Sequence, residues 1–405
     1  MVTWKSILLV IASVFLPFYK DSVRFAVKSA DPANSLPQAK EISLFLSGDV
    51  MIGRGVDQIL PNSVAPRIYE PYVKDARDYI SIAERKSGDI PRQVSYDYIW
   101  GDALKVWEEA APDLKIINLE TSITTHDEHW PEKMIQYRMH PDNVKVLTAA
   151  GINFSSLANN HVLDWQRPGL METMNVLHNA GISYAGAGEN LNEARKPSIL
   201  KTKRGNVIVF AYGSETSGIP EAWAATSNRS GVNLLPDLSK ETISMIRDQV
   251  KRVKREGDVV VFSVHWGSNW GYDIPPHRRE FARQLIEQAG VDVVHGHSSH
   301  HPLGIEVYND KLIIYGAGDF INDYEGISGH EMFRDDLSLM YFPVLDAGTG
   351  KLKAMKMVPM QISKFRLNYA SDEDTRWLAK TLNRESQKFG TKVKLEEDGT
   401  LSLAW

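Results

Sequence analysis

Apolar positions in this chain follow two periods. Short runs rich in Val, Ile, Leu and Phe recur at residues 42–47, 114–118, 152–157, 182–184, 206–211, 259–262 and 291–294. Runs of this length and branching predict strands covered on both faces. Between them lie stretches with helical spacing, at residues 102–111, 141–150, 168–180, 239–256 and 276–289. Gly151, Gly181 and Gly290 stand just past three of these, where a left-handed residue ends a helix. Pro168 suits a first turn and Ser239 an N-cap. Alternation of strand and helix predicts an α/β (α+β) fold, with layered β-sheets flanked by helices. Residues 61–101 show no clean period and read as an irregular insertion. Their Arg67, Lys74, Arg77 and Arg85 are expected on a solvated helix face, with contact to an anionic ligand as the alternative.

Later in the chain the pattern changes. Residues 304–307 and 311–315 predict a hairpin about Asn309-Asp310. Residues 337–345 and 351–360 predict strands joined by Ala347-Gly348-Thr349-Gly350, and 371–389 a helix capped by Ser371. Residues 393–403 predict a hairpin about Asp398-Gly399. No catalytic pattern occurs in this tail, so packing or partner contact is its expected role.

The N-terminus is a separate matter. Lys5 precedes an apolar run over residues 7–16, which is shorter than the roughly 20 residues of a spanning helix. A positive start and a run of this length predict a secretory signal or short membrane anchor, with Val27-Lys28-Ser29 before Ala30 as the best cleavage point. The expected division is 1–30 signal or anchor, 31–40 linker, 41–345 main domain and 346–405 C-terminal extension. The expected location is exported, either secreted or membrane-anchored.

Composition narrows the classes. The 405 residues are 43% hydrophobic and 24% charged, as in a folded protein. The net charge of −5 leaves no basic excess to neutralise phosphates, so nucleic acid is not an expected partner. Cysteine is absent, which excludes thiol catalysis, thiolate-bound zinc and disulfides.

The candidate chemistry lies where the strands stop. Asp49 and Glu120 follow the first two runs. Asn160 and His161 follow the third, His265 follows residues 259–262, and His297 and His300 follow residues 291–294. In open α/β sheets the carboxyl ends of strands form the ligand edge. Two carboxylates, an amide and several imidazoles at that edge suit Mn, Fe or Zn, one ion or two. Two such ions clamp the attacking and leaving oxygens of a displacement at phosphorus. His126, His129, His140, His178, His277 and His330 lack a strand-end setting and are expected to be structural. Trp223, Trp266 and Trp270 are expected in the core, with stacking on a ligand as the alternative.

The order of these motifs resembles the calcineurin-like metallophosphoesterase fold, and more closely its capsule-synthesis (CapA/PgsA, poly-γ-glutamate) branch. The carrying motifs are Gly48-Asp49-Val50-Met51-Ile52-Gly53-Arg54, Asn118-Leu119-Glu120, Ala158-Asn159-Asn160-His161-Val162-Leu163-Asp164, His265-Trp266-Gly267, Gly296-His297-Ser298-Ser299-His300 and Gly316-Ala317-Gly318-Asp319-Phe320. The resemblance implies that Asp49 and His300 bind a first metal and that Glu120 bridges. It implies Asn160, His265 and His297 for a second metal. His161 becomes a proton donor or phosphate contact oriented by Asp164, and Arg54 holds an anion. Four positions depart from the wider pattern. Met51 stands where an imidazole is usual and Glu120 where Asp is. The His297–His300 motif is one residue longer, and Asp319 replaces Asn.

Three functions follow as expectations. The first is an exported or anchored factor aiding synthesis or export of poly-γ-glutamate or a related anionic polymer, with membrane-bound capsule machinery as an expected partner. The second is a metal-dependent hydrolase of a phosphoester or of an amide in such a polymer. The third is a non-catalytic polymer-binding scaffold.

Overall fold

Strand Glu41–Val50 runs through the middle of a ten-stranded sheet. On one side it pairs parallel with Leu114–Leu119, followed by Phe154–Ser156 and Ser183–Ala185, also parallel. On the other side it pairs antiparallel with Leu337–Asp346, and the sheet continues through Leu352–Ile362, Leu401–Ala404 and Lys392–Leu395. A short strand, Asp319–Ile321, joins its carboxyl end in parallel, with Asp319 opposite Asp49. The second large sheet has six strands in the order Ile305–Tyr308, Lys311–Ile314, Val293–His297, Val259–His265, Asn206–Gly213 and Ser198–Lys201. The computed structural model describes residues 41–405; the expected signal or anchor, its cleavage point and the linker lie outside the described residues.

Period-two alternation explains how the sheets stack. Val259, Val261 and Val293 share a core with Leu44, Leu46, Ile116 and Phe154 of the first sheet. Val260, Phe262 and Val264 face the other way, against Ile243 and Ile246 of helix Lys240–Val253 and Phe281 and Leu285 of helix Pro276–Glu287. On the far side of the first sheet, Phe45, Ile117 and Leu119 pack on helices Arg54–Ile59, Ala103–Ala110 and Gln166–Asn179. Phe45 meets Trp107 edge-on at 5.1 Å. The layering is therefore helices, sheet, sheet, helices, as the alternation predicts. Full burial of each such Val, Leu or Phe contributes roughly 1.5–3 kcal/mol.

The same alternation sets the site. Residues 259, 261, 263 and 265 point toward the first sheet, so Ser263 and His265 continue the face begun by Val259 and Val261. The strand runs to His265, because the ladder with Val293–His297 persists to the pair His265–His297. Likewise Asn118 continues the face of Leu114 and Ile116. Strand Glu41–Val50 differs: its register with Leu114–Leu119 shifts between Leu46 and Asp49. Such a bulge reverses the parity of the residues beyond it, which turns Asp49 to the same side as Leu44 and Leu46. Gly48 lies inside the bulge, where a Cβ would meet the Gly318 carbonyl oxygen at 1.5 Å.

The sequence-derived caps hold. Ser239 accepts from the Thr242 amide and Ser371 from that of Asp374. Asn309 and Asp310 both have positive φ, as a two-residue hairpin turn requires. The strand expected over 152–157 is reduced to Phe154–Ser156, because Gly151 takes φ +65° and Ile152 is drawn back to Leu147 in the helix C-cap. Among the described residues, no helix is long and apolar enough to cross a membrane.

Candidate metal centre

Asp49, Glu120, His265, His297, His300 and Asp319 meet at the carboxyl edge between the sheets, all of them buried. Two groups share Asp49: one adds His265 and His297, the other Glu120, His300 and Asp319. In the first, the His265 and His297 Nδ1 atoms are 2.8 Å apart. They lie 3.8 and 4.0 Å from Asp49 Oδ1. Two ligands of one ion bound at about 2.0–2.2 Å are never more than about 4.4 Å apart, so these spacings fit a shared ion. The other nitrogen of His297 is fixed by Ser263 Oγ at 2.9 Å, as a ligating imidazole requires. His265 Nε2 faces Asn160 Oδ1 at 3.0 Å and Glu120 Oε1 at 3.7 Å. In the second group, His300 Nδ1 lies 3.0 Å from Asp319 Oδ1, whose other oxygen accepts from Asn322 at 2.7 Å. Asp319 thus adds a donor where Met51, in place of an imidazole, adds none.

The electrostatics are those of a cation site. Asp49, Glu120 and Asp319 are buried together, and among the described residues none is paired with Lys or Arg. Burial, followed by the charge of Asp319, pushes Asp49 up to about 8. Burial, then Asp49 and Asp319, push Glu120 well above the usual carboxylate range. Glu120 Oε2 has no hydrogen-bond partner. Burial holds His265 and His297 well down, so both are neutral, the form that ligates. Burial also depresses His300, but Asp319 beside it outweighs that and the net shift is upward. A buried carboxylate cluster without a cation is a costly arrangement that a divalent ion relieves. Oxygen and imidazole donors suit Mn, Fe or Zn. The residues therefore fit the expected metal.

His161 stands at the rim, with Nε2 4.0 Å from Glu120 Oε1 and Nδ1 2.6 Å from Asp164 Oδ2. Burial pushes Asp164 up to about 8 and His161 well down. Burial thus favours the neutral form of both, and the Asp164–Nδ1 bond orients the ring with Nε2 toward Glu120. Asn160 and His161 are placed by Asn159, whose Oδ1 accepts from the amides of His161 and Val162.

Arg54 has a different setting. Its guanidinium binds Asp323 through two nitrogens and Glu70 at 3.1 Å, and stacks 3.7 Å from the centroid of the Tyr79 ring. Its donors are committed to protein carboxylates. Trp223 and Trp266 are core residues, and Trp270 stacks on His330 at 3.9 Å beside His300. Sequence reasoning gave no role to Asn118, which donates to Asp49 Oδ1 at 2.7 Å, or to Ser298, whose amide holds Asp49 Oδ2 at 3.2 Å. The signal was present: Asn118 stands two residues before Glu120 on the same strand face.

Fold and site together define a layered α/β protein with an acid–imidazole cluster between its sheets. The family model described as bacterial capsule synthesis protein PGA_cap matches residues 43–324, and this chain belongs to that family. It is similar to a probable polyglutamine synthesis accessory protein of Mycobacterium tuberculosis, 46% identical over 364 residues, 89% of this chain and 96% of the relative. The PGA biosynthesis protein CapA of Bacillus subtilis is 26% identical over 99% of this chain and 92% of its own length. The capsule biosynthesis protein CapA of Bacillus anthracis is 25% identical over 80% and 68%.

Proposed function

We propose that this protein is an extracytoplasmic, divalent-metal-dependent hydrolase that serves synthesis or export of poly-γ-glutamate or a related anionic surface polymer, acting on a phosphoester or an amide bond. One observation carries the reading: three buried carboxylates and three imidazoles converge with no Lys or Arg ion-paired to the carboxylates among the described residues. The family and the names of its relatives support the polymer; the apolar run at residues 7–16 supports export.

When bound, one or two Mn, Fe or Zn ions supply Lewis-acid activation of water and neutralise charge at the reacting group. Asp49, Glu120, Asn160, His265, His297, His300 and Asp319 are the residues that would hold them. Asn118 and the Ser298 amide fix the Asp49 carboxylate, so its oxygens need no reorganisation. His161, oriented by Asp164, presents an N–H at Nε2 for a departing oxygen or nitrogen.

The test is metal content of the purified protein by elemental mass spectrometry. Wild type is expected to hold one or two equivalents of Mn, Fe or Zn. Asp49→Ala and His265→Ala are expected to lose them while keeping a folded circular-dichroism spectrum. A wild-type protein that takes up no metal after reconstitution overturns the reading.

A further inference from the structure

Two cations lie near the cluster, Arg54 and Lys133, and they are unlike in one respect. Arg54 is saturated by Asp323 and Glu70. Lys133 is not. Its side chain is only 16% exposed, and its Nζ is 3.6 Å from Asp164 Oδ1, too far for a hydrogen bond. Among the described residues it has no closer anionic partner. Asp164 Oδ1 is itself left without a hydrogen bond. On the other side, Nζ stands 5.6 Å from the centroid of the Trp223 ring. A half-buried ammonium with no hydrogen bond to the protein keeps its three donors for an incoming acceptor.

The local backbone holds Lys133 in place. The Trp130 amide donates to the Asp164 carbonyl at 2.6 Å, and the Lys133 amide returns to the Trp130 carbonyl at 3.3 Å. The Gln136 side chain holds the Lys133 carbonyl. Glu132 takes φ +63°, a left-handed conformation that costs a non-glycine residue about 1 kcal/mol. This braced, strained turn sets the ammonium beside the His161–Asp164 pair, close enough for its charge to depress His161 and His265 and to lower Glu120.

We propose that Lys133 is the substrate-recognition residue of this centre, its ammonium binding an anionic oxygen group, carboxylate or phosphoryl, that the substrate carries next to the bond acted on. The proposal rests on the metal-centre reading above and adds to it which residue meets the substrate's charge. An anion held by Nζ satisfies the free donors beside the His161–Asp164 pair, whose imidazole Nε2 lies 4.0 Å from Glu120 Oε1. Charge-assisted bonds of this kind are about twice as strong as neutral ones.

The experiment is calorimetric titration of the full-length protein with inorganic phosphate and, separately, with γ-glutamylglutamate, after Mn loading, with metal content read on the same samples. Lys133→Met is compared with Lys133→Arg. Lys133→Met is expected to weaken the anion that wild type binds by about tenfold or more, with metal content and thermal midpoint unchanged. Lys133→Arg is expected to restore binding to within about threefold, since it keeps the charge. Loss with phosphate alone identifies a phosphoryl substrate, and loss with the dipeptide a carboxylate. Equal affinity in Lys133→Met and wild type overturns the proposal, as does a metal-loaded wild type that binds neither anion. A wild type without metal overturns the metal reading, while the same variants in that protein still decide whether Lys133 binds the anion.

Discussion

The buried carboxylates around Arg54 and those around Asp49 answer the same electrostatic problem in opposite ways. Around Arg54, the carboxylates of Asp323 and Glu70 surround a guanidinium, with Tyr79 on its face and the Gly55 amide on Asp323 Oδ2 at 2.9 Å. Around Asp49, the carboxylates of Glu120 and Asp319 face amides and imidazoles, with no Lys or Arg ion-paired to them among the described residues. The first cluster carries its own counter-charge and is complete as architecture. The second is incomplete as architecture, which is what supports reading it as a binding site. Burial of charge alone does not separate the two; the presence or absence of an internal cation does.

The largest effect that sharpens this contrast comes from breaking the complete cluster. Asp323→Ala strands a buried guanidinium and is expected to destabilise the protein by about 3–5 kcal/mol in urea unfolding, with metal stoichiometry unchanged in the folded fraction. Metal loss in that variant would break the distinction.

The next effect concerns the incomplete cluster and its pH dependence. Asp49 is raised from near 3.8 to about 8 in the metal-free fold. A raised carboxylate contributes stability that is fully present below its unfolded value and is lost as pH rises through its folded value. Below about pH 6.5 the depressed His161, His265 and His297 pull the other way, because the unfolded chain protonates them. The EDTA-treated protein is therefore expected to lose stability between about pH 6.5 and pH 8, by on the order of 1 kcal/mol per pH unit. Mn²⁺ requires the deprotonated form, so it is expected to reverse the trend, adding about 2.7 kcal/mol at a hundredfold excess over Kd. Thermal midpoints at several pH values with EDTA or Mn²⁺ check both signs. A midpoint that rises between about pH 6.5 and pH 8 in EDTA breaks the comparison.

The smallest effect is a control outside both clusters. Ser371→Ala removes the cap of helix Asp372–Gln387 and is expected to cost about 1 kcal/mol with full metal content.

What could be read in advance follows from physics that is local in sequence. Val259, Val261, Ser263 and His265 form one face of one strand, and alternation alone carries the imidazole to the edge between the sheets. The hairpin at Asn309-Asp310 and the caps at Ser239 and Ser371 depend on neighbours a few residues away. The partners of Arg54 were not legible, because Asp323 lies 269 positions along the chain and no periodicity links the two. Nor was the bulge before Asp49: plain alternation from Leu44 and Leu46 places Gly48, and not Asp49, on the inner face. His295 shares the inward face of His297 but bonds the Ser47 carbonyl at 2.7 Å, one layer below the cluster. Only the stacking of the sheets separates the ligand from the brace.

That bulge has a bearing on any attempt to transplant the centre. Grafting its six side chains onto another layered α/β scaffold with regular strands would carry the chemistry without the path. The Asp49 carboxylate would turn toward the helices, and any residue larger than glycine at position 48 would collide with Gly318. The portable unit is the irregular stretch Ser47-Gly48-Asp49 together with Gly318-Asp319 beside it, since they specify where the backbone goes before any ligand is chosen.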